Sequence, residues 1–193
     1  MIVRVVSRVL DIAGYKLRWL YYTLTLFLWH RPVPWSTTIY GKIRRLHLPV
    51  RITLGKRCRL GDHVYLATSH TSDIVIGDDV NINLGCVLVA VERISIGSNT
   101  SIAEYVSIRD QAHRFEPGSG VRGQGFTSAP VEIGDNVWIG RGVFIGPGTV
   151  IGPNSIVGAN AVVHGVFPPN ALIVGAPAKV KKFIEASRDR KAG

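Results

Sequence analysis

The sequence predicts an all-β solenoid, in which short strands wind into coils that stack along one axis. The main observation is a repeat of six residues, an aliphatic residue followed by glycine. These pairs begin at Ile133, Ile139, Ile145, Ile151 and Val157. Similar hexads start at Leu54 and Leu60, so the pattern is not local. A period of six matches neither a helix, which repeats every 3.6 residues, nor a two-faced strand, which repeats every 2.

Each hexad is predicted to form one side of a triangular coil, with its aliphatic residue inside. The glycine next to it allows either close approach of another backbone or a positive φ at the bend. Coils of three hexads would stack by parallel strand pairing about 4.8 Å apart. Residues 54–182 then form the repeat domain with about five coils, interrupted by a loop over 114–130. A loop of this length in a regular solenoid is typically functional.

Residues 1–30 are apolar and basic, unlike the repeat domain. Arg4 and Arg8 stand among aliphatic residues at a spacing that predicts an amphipathic helix. A linker and strands leading into the repeat follow over 31–53. The uncharged run Trp19–Trp29 is shorter than the roughly 20 residues of a membrane span, and no signal-peptide cleavage site follows it. Two interpretations stay open: an interfacial helix on an anionic bilayer, or a helix packed on the repeat domain or on a neighbouring subunit.

The C-terminal part is predicted to depart from the repeat. Val166–Asn170 contains two adjacent prolines and is expected to break the solenoid. The chain then continues extended to Val180. Lys181–Ala186 is predicted to begin a short C-terminal helix that caps the open end, within or before a basic tail over 183–193.

The net charge of +10 is unevenly distributed. Before position 60, Asp11 is the only acidic residue against twelve lysines and arginines. This balance favours an anionic partner: a membrane surface, a nucleic acid or a phosphorylated small molecule. Nucleic acid is not expected, because the sequence has no basic recognition helix, aromatic stacking platform or zinc-finger spacing. With only Cys58 and Cys86, no disulfide framework is expected and a reducing cytoplasm is favoured.

Three motifs narrow the prediction further: Asn81-Ile-Asn-Leu84, Asp110-Gln-Ala-His113 and Asp135-Asn-Val-Trp-Ile-Gly140. Together with the hexads and with Gly175-Ala-Pro-Ala-Lys-Val180, they resemble the hexapeptide-repeat acyltransferases, in particular the sugar O-acetyltransferases of the maltose, galactoside and polysaccharide-modifying kind. The resemblance covers roughly residues 54–182. It implies a left-handed parallel β-helix and a homotrimer. It also implies that acetyl-CoA, as co-substrate, and a saccharide acceptor bind in the groove between adjacent subunits.

Acetyl transfer from a thioester to a hydroxyl needs a base, donors for the developing oxyanion, and two substrates held close together. His113 is the candidate base: it stands where the hexads give way to the loop, imidazole titrates near neutral pH, and it matches the family's catalytic histidine. Asp110 either orients this imidazole or is a solvated turn residue. Asn81, with Asn83 as its near alternative, matches an asparagine near the acceptor, or is a corner asparagine with positive φ.

For the coenzyme, the resemblance implies a row of residues in the later hexads. Trp138 matches a tryptophan beside the coenzyme arm, and the backbone N–H at Arg141 matches one that faces the thioester oxygen. Ala159 lies farther along. Lys179 and Lys182 match basic residues that bind the coenzyme's phosphates. The alternatives are a Trp138 packed at a trimer interface and two solvated lysines.

His164-Gly165 departs from the Thr-Lys or Thr-Arg usual in the family, which leaves one coenzyme contact open for His164 to replace in part. No metal is expected, because none of the six histidines are paired at the strand spacing of a zinc site.

The predicted function is acetyl-CoA-dependent O-acetylation of a sugar hydroxyl, on a polysaccharide or its lipid-linked precursor. The transfer would be direct in a ternary complex, with His113 as general base. Two alternatives stay open: N-acylation of an amino sugar, and a non-catalytic β-helix that assembles or tethers partners. The expected location is the cytoplasm, with peripheral contact to the inner face of the membrane through residues 1–30.

Overall fold

The computed structural model describes residues 2–27, 31–46, 50–120 and 122–185. One helix, α1 (Ile2–Phe27), comes first, and the strands after it are short and wind into a parallel β-solenoid of six coils. This arrangement confirms the predicted solenoid with an N-terminal helix, and it agrees with a left-handed β-helix.

The first coil holds β1 (Thr38–Ile39), β2 (Ile43–Leu46) and β3 (Ile52–Leu54). The second holds β4 (Arg59–Leu60), β5 (Val64–Thr68) and β6 (Asp73–Ile76), and the third holds β7 (Asn81–Ile82), β8 (Val87–Ala90) and β9 (Arg93–Ile96). The fourth holds β10 (Ser101–Ile102), β11 (Ser107–Arg109), a hairpin of β12 (Gln111–His113) and β13 (Phe126–Ser128), and β14 (Val131–Ile133). The fifth holds β15 (Trp138–Ile139), β16 (Phe144–Ile145) and β17 (Val150–Ile151), and the sixth holds β18 (Ile156–Val157), β19 (Val162–Val163) and β20 (Val166–Phe167). The hairpin of β21 (Ala171–Gly175) and β22 (Ala178–Phe183) follows.

Equivalent strands of successive coils pair in parallel and form three sheets. Sheet A runs β1-β4-β7-β10-β15-β18-β21, sheet B runs β2-β5-β8-β11-β16-β19, and sheet C runs β3-β6-β9-β14-β17-β20. The chain turns from A to B, from B to C and from C to A. We name these bends the AB, BC and CA corners.

The interior of the solenoid is a stack of aliphatic side chains, one from each side of each coil. The register places Ile82, Ile102 and Ile139 directly above one another on sheet A, and all three are fully buried. Each such side chain contributes roughly 1.5–3 kcal/mol by leaving water. The aliphatic position of the hexad therefore builds the core, as the sequence predicts.

Within a hexad the close approach and the positive φ fall on different residues. At Gly140, the second position, an added Cβ would lie 2.7 Å from the backbone nitrogen of Ala159 in the next coil. The positive φ occurs two residues later, at Gly142 (+67°). Asparagine occupies that fourth position at Asn136 and Asn154, where it adopts the same left-handed conformation.

The solenoid is longer at both ends than the sequence predicts. The first coil, Thr38–Leu54, makes six coils rather than five. It was not predicted because only its last strand ends in an aliphatic-glycine pair, Leu54-Gly55. Val166–Asn170 does not break the solenoid, since β20 within it pairs in parallel with β17. The prolines follow the strand and occupy the corner, where no ladder hydrogen bond is needed.

The predicted helix from Lys181 is wrong for the described residues Lys181–Phe183, which belong to β22. The chain reverses after Gly175, whose φ is +103°. Strand β22 then returns antiparallel to β21 and satisfies the free edge of sheet A. Residues 186–193, which include the end of the predicted helix and most of the basic tail, lie outside the described residues.

Helix α1 packs across the beginning of the solenoid. The Trp19 Nε1–H donates to the Pro34 carbonyl at 2.9 Å, and the Arg18 Nε–H donates to the Ile39 carbonyl at 2.8 Å. The Tyr22 hydroxyl accepts from the backbone N–H of Ile43 at 2.8 Å and is buried with its ring. Of the two interpretations of this segment, packing on the repeat domain is therefore correct for one face of the helix. Within the described residues, no helix has the length and apolar character to cross a bilayer.

The two cysteines are unpaired and buried in the solenoid. Burial raises the pKa of the Cys86 thiol to about 11 and also raises that of Cys58. Both side chains therefore act as small apolar fillers at neutral pH.

Candidate active site

A row of outward-facing residues runs along sheet A from Trp138 toward the C-terminal hairpin. The register continues from Trp138 in β15 to Ile156, Leu172 and Lys182 in the following strands. Three strand spacings correspond to about 14 Å. Trp138 is 57% exposed, and with Ile156 and Glu185 it lines a cleft of about 520 Å³.

Arg141 and Ala159 occupy equivalent places at the AB corner of the fifth and sixth coils. The backbone N–H of Asn160 donates to the Arg141 carbonyl at 2.8 Å and fixes the two turns against each other. Lys179 continues this edge, since it pairs with Val174 at the end of sheet A. The structure thus brings all five predicted coenzyme residues to sheet A and its AB corner.

The amide of Arg141, in the third position of its hexad, differs from the third-position amides at the CA corners. There the N–H groups of Lys56, Asp78 and Ser98 donate to side chains of the next coil at 2.6–3.1 Å. At the AB corner of the first coil it is the fourth-position Lys42 N–H that donates to Asp62 Oδ1, at 2.6 Å, and this bond lowers the pKa of Asp62. Above Arg141 stands Ala159, which has no side-chain acceptor. Within the described residues the Arg141 N–H has no partner, so it is available for an oxygen from outside the chain.

The candidate base His113 lies at the BC corner, on the hairpin that β12 and β13 project from the fourth coil. It pairs with Phe126, and the two rings lie 4.4 Å apart between centroids. His113 is exposed. Sheet B separates it from the AB corner: the five residue steps from Arg141 to Gly146 span at most about 16 Å. One chain therefore holds His113 and Arg141 on opposite edges of sheet B.

Asp110 has neither of the roles that the sequence suggests for it. Its side chain is fully buried, and its carboxylate accepts hydrogen bonds from the backbone N–H groups of Val91, Glu92 and Arg93 at 2.6–3.0 Å. Among the described residues, His113 is not one of its partners. Asp110 fixes the third coil's BC corner against the start of the hairpin, so it is neither an orienting partner of the imidazole nor a solvated turn residue.

The two candidate asparagines differ in position. Asn81 lies in β7 on the face of sheet A and pairs with Ser101, which in turn pairs with Trp138. It is in a strand, so its interpretation as a corner asparagine with positive φ is wrong. Asn83 follows β7 at the AB corner, where its N–H donates to the Ile102 carbonyl at 3.0 Å. Asn83 thus stands on the same edge as Arg141, two coils earlier.

Tyr105 is a candidate site residue that the sequence analysis missed. It lies at the AB corner of the fourth coil with φ of +60°, an unusual conformation for an aromatic residue, and is 52% exposed. Its ring covers Gly85, and the Arg141 guanidinium lies 5.6 Å from the ring centre and 3.4 Å from Glu104. A tyrosine in a hexad position that otherwise holds mainly glycine or asparagine was the available signal.

His164 lies at the BC corner of the sixth coil, on the same edge as His113. Its ring is 5.7 Å from that of Phe144, and it covers Gly146. In the part of the chain that the structure describes, no group of three or more His, Cys, Asp or Glu side chains forms a metal site; His30 and His47 lie outside that part.

A second cleft lies at the AB corner, where α1 meets the first two coils. It has a volume of about 490 Å³. Its lining combines Arg18 and Tyr21 of the helix with Lys42, Asp62 and His63 of the corner. The His63 Nδ1 lies 3.0 Å from Asp62 Oδ2. Cations, a carboxylate and a phenol ring are groups that bind polar, hydroxyl-rich or anionic molecules.

Coils with three six-residue sides, stacked into three parallel sheets, place the chain in the class of hexapeptide-repeat β-helix proteins. Residues 130–165 match the family model described as bacterial transferase hexapeptide (six repeats). Nodulation protein L of Rhizobium meliloti is 38% identical over 151 residues, 76% of this chain and 80% of that protein. The chain belongs to the hexapeptide-repeat acyltransferases, a family of enzymes.

Other similar proteins carry acetyltransferase names. A probable acetyltransferase of Mycobacterium tuberculosis is 32% identical over 143 residues, 74% of this chain. The chain spans only about half of that relative's length, 47%. A galactoside acetyltransferase in complex with coenzyme A is similar in structure, with a TM-score of 0.56 and 30% identity over 78% of this chain and 66% of that one. Coenzyme A is thus the coenzyme seen with a solved structure from this group.

Proposed function

We propose that this protein transfers an acetyl group from acetyl-CoA to a hydroxyl of a saccharide, as an O-acetyltransferase. The observation that carries the proposal is the open N–H of Arg141, in the same coil as Trp138 and beside the row that runs from Trp138 to Lys182. A row about 14 Å long with a basic end suits an elongated, polyphosphorylated molecule. The saccharide class is supported by the galactoside acetyltransferase similarity.

The coenzyme would lie along sheet A and the AB corner. Trp138 offers an exposed ring for its arm, and Ala159 lets the arm approach the backbone because its side chain is small. Lys179 and Lys182, both exposed, stand beyond the last coil as donors for phosphate groups. The coenzyme supplies the acetyl group as a thioester.

His113 would take the proton of the acceptor hydroxyl while its oxygen attacks the acetyl carbon. A carbon–oxygen bond forms and the carbon–sulfur bond breaks, and His113 then returns the proton to the departing thiolate. The Arg141 N–H would hold the negative charge that develops on the acetyl oxygen. A base of this kind contributes about 10²–10⁴-fold to kcat.

The reaction requires more than one copy of the chain. His113 and Arg141 lie on opposite edges of sheet B in one chain, so they meet only if the BC corner of one copy faces the AB corner of another. A cyclic trimer of three-sided solenoids repeats that contact three times. His164 shares the BC edge with His113, so it would reach the coenzyme of the same neighbouring copy.

The acceptor would enter from the cleft that α1 forms with the first two coils, and pass Asn83 and Tyr105 on its way to the Arg141 amide. These residues share the AB corner, and sugar rings pack well against aromatic faces such as that of Tyr105. Arg18 and Lys42 favour an acceptor that carries negative charge. A polysaccharide or its lipid-linked precursor fits these requirements. We place the reaction in the cytoplasm, in agreement with the unpaired Cys58 and Cys86.

The test is acetyl transfer with the full chain, acetyl-CoA and a panel of saccharides that carry hydroxyl or amino groups. We expect release of free coenzyme A that depends on the acceptor, and a product whose acetyl group is removed by mild alkali, as an ester is. An alkali-stable product would instead establish N-acylation. If coenzyme A at about 100 times the assumed Kd fails to add the expected 2.7 kcal/mol of stability, and no acceptor supports turnover, the protein is a non-catalytic assembly module.

A further inference from the structure

One face of α1 is fully occupied by the solenoid. Tyr15, Arg18, Trp19 and Tyr22 all point to the first coil or to the linker before it. The Tyr15 ring lies 5.2 Å from the ring of Tyr40 in an edge-to-face contact. With the hydrogen bonds of the other three side chains to backbone groups, these contacts fix the rotation of the helix about its own axis.

The opposite face carries an exposed apolar stripe. Leu10, Leu17 and Leu24 repeat every seven residues, close to two helical turns, and therefore lie in one line. Their exposed fractions are 67%, 68% and 55%. Leu20 and Tyr21, 47% and 57% exposed, widen the stripe on either side. We call these five residues the outer stripe of α1.

The end of the solenoid that carries the outer stripe is rich in basic residues; Lys42 lines the cleft beside Leu17 and Tyr21, together with Asp62. Asp11 is the only acidic residue of the helix. Arg31, Lys42, Arg44 and Lys56 of the linker and first coil are exposed. Two copies that met through this end would bring like charges together, which opposes association. An anionic surface would instead attract those of these charges that lie close to it, at about 1 kcal/mol per Lys or Arg.

We propose that the outer stripe of α1 docks on the surface of a bilayer that contains anionic lipids. The leucines enter the boundary between headgroups and acyl chains, and Lys42 and Arg44 lie among the headgroups. Because the other face of α1 is fixed to the first coil, the whole solenoid is held with its N-terminal end toward the lipid. This docking does not depend on the transfer reaction. If the proposed function also holds, the cleft beside Leu17 and Tyr21 opens toward the membrane, where a lipid-linked acceptor lies.

The test is sedimentation of the full-length protein with two kinds of vesicle. One contains phosphatidylcholine alone, and the other contains phosphatidylcholine with about 30% of the anionic lipid phosphatidylglycerol. We expect binding to the anionic vesicles that weakens as salt rises, because exposed charges are screened. The double substitution Leu17→Gln and Leu24→Gln should reduce binding by about tenfold or more, since each buried CH₂ contributes about 0.8 kcal/mol. Val166→Gln is the matched control: this side chain is 77% exposed at the other end of the solenoid, and its loss should leave binding unchanged.

Three results would overturn the proposal. The first is failure of the wild type to bind anionic vesicles. The second is binding of the double variant as strong as that of the wild type, and the third is a loss of binding with Val166→Gln as large as that of the double variant. Light scattering without vesicles tests whether a second copy of the chain, and not lipid, covers the stripe. A lower molecular mass for the double variant than for the wild type would show this and would also overturn the proposal. Thermal unfolding confirms that the variants are folded, and acetyl transfer to a water-soluble acceptor tests the enzyme separately from the docking.

Discussion

The AB and BC corners are built from the same hexads, yet they differ in regularity and in what they present. At the AB corner every coil turns in the same short way, so equivalent residues form an unbroken line from Gly41 to Ala159. At the BC corner the bends vary in length, and in the fourth coil the chain leaves the solenoid for the hairpin that carries His113. Uniform turns make an edge along which a long molecule can lie. An interrupted turn makes a projection that can reach another molecule.

The comparison also separates two ways of placing a functional group. The Arg141 amide is open because Ala159 in the next coil has no side-chain acceptor, whereas Asp78, Ser98 and Asp135 supply one to the equivalent amides at the CA corners. His113 is positioned differently: the buried carboxylate of Asp110 fixes the corner from which the hairpin starts. Function at the AB corner therefore depends on small side chains, and function at the BC corner depends on one buried carboxylate.

The largest effect is expected at His113. His113→Ala should lower kcat by about 10²–10⁴-fold and leave the Tm nearly unchanged, because the side chain is exposed. Steady-state acetyl transfer and thermal unfolding measure the two quantities. His70→Ala is the matched control, since His70 is an exposed histidine of the same corner in the second coil. A loss of kcat below tenfold for His113→Ala would remove His113 as the base.

Asp110→Ala should act on stability first. It leaves the N–H groups of Val91, Glu92 and Arg93 without their buried acceptor, which should cost about 3 kcal/mol and lower the Tm by roughly 6–12 °C. Asp135→Ala is the control, because Asp135 accepts one backbone hydrogen bond, from Ser98, and is exposed; it should cost about 1 kcal/mol or less. If Asp110→Ala instead lowered kcat with no change in Tm, the result would favour the interpretation that Asp110 orients the His113 imidazole.

The smallest effect concerns the packing of the two corners. In Gly140→Ala the new methyl group would lie 2.7 Å from the Ala159 nitrogen, so the coils must shift, at about 2–3 kcal/mol. Gly118→Ala in the loop meets nothing within 4 Å and should cost only about 1 kcal/mol for its positive φ. Chemical denaturation compares the two variants. Equal costs would show that the AB corner is no more tightly packed than the BC loop.

Much of the fold can be predicted from the hexads, because a residue that returns every six positions must occupy the same place in every coil. The first coil is less clearly marked. On sheet A, Ile39 fills the core position but is followed by tyrosine, and on sheet B the hexad residue Leu66 pairs with Arg45. Lys181–Phe183 shows a second limit. Its basic sequence is compatible with a helix end, and only the free edge of sheet A explains why it becomes a strand.

The candidate site is harder to predict from the sequence than the fold, for a physical reason. A six-residue period tells which residues face outward, but an outward residue can be a ligand, a neighbour's contact or a solvated side chain. Trp138, Arg141 and Ala159 could be placed on one edge through the resemblance to a family, whereas the role of Asp110 depended on amides from the preceding coil. Tyr105 had a sequence signal, a tyrosine where other hexads mainly hold glycine or asparagine, but its place beside Arg141 follows only from the structure.

The cap formed by α1 has a consequence for how the protein behaves in a crowded cell. A parallel solenoid ends in strands whose N–H and C=O groups have no partner, and such edges tend to join other edges and form fibres. Helix α1 lies over β1 and the start of β2, and Pro32 and Val33 of the linker lie beside β3. At the other end β22 covers β21. Both covers act on sheet A, α1 at its first strand and β22 at its last, and so oppose the end-to-end joining of copies through that sheet.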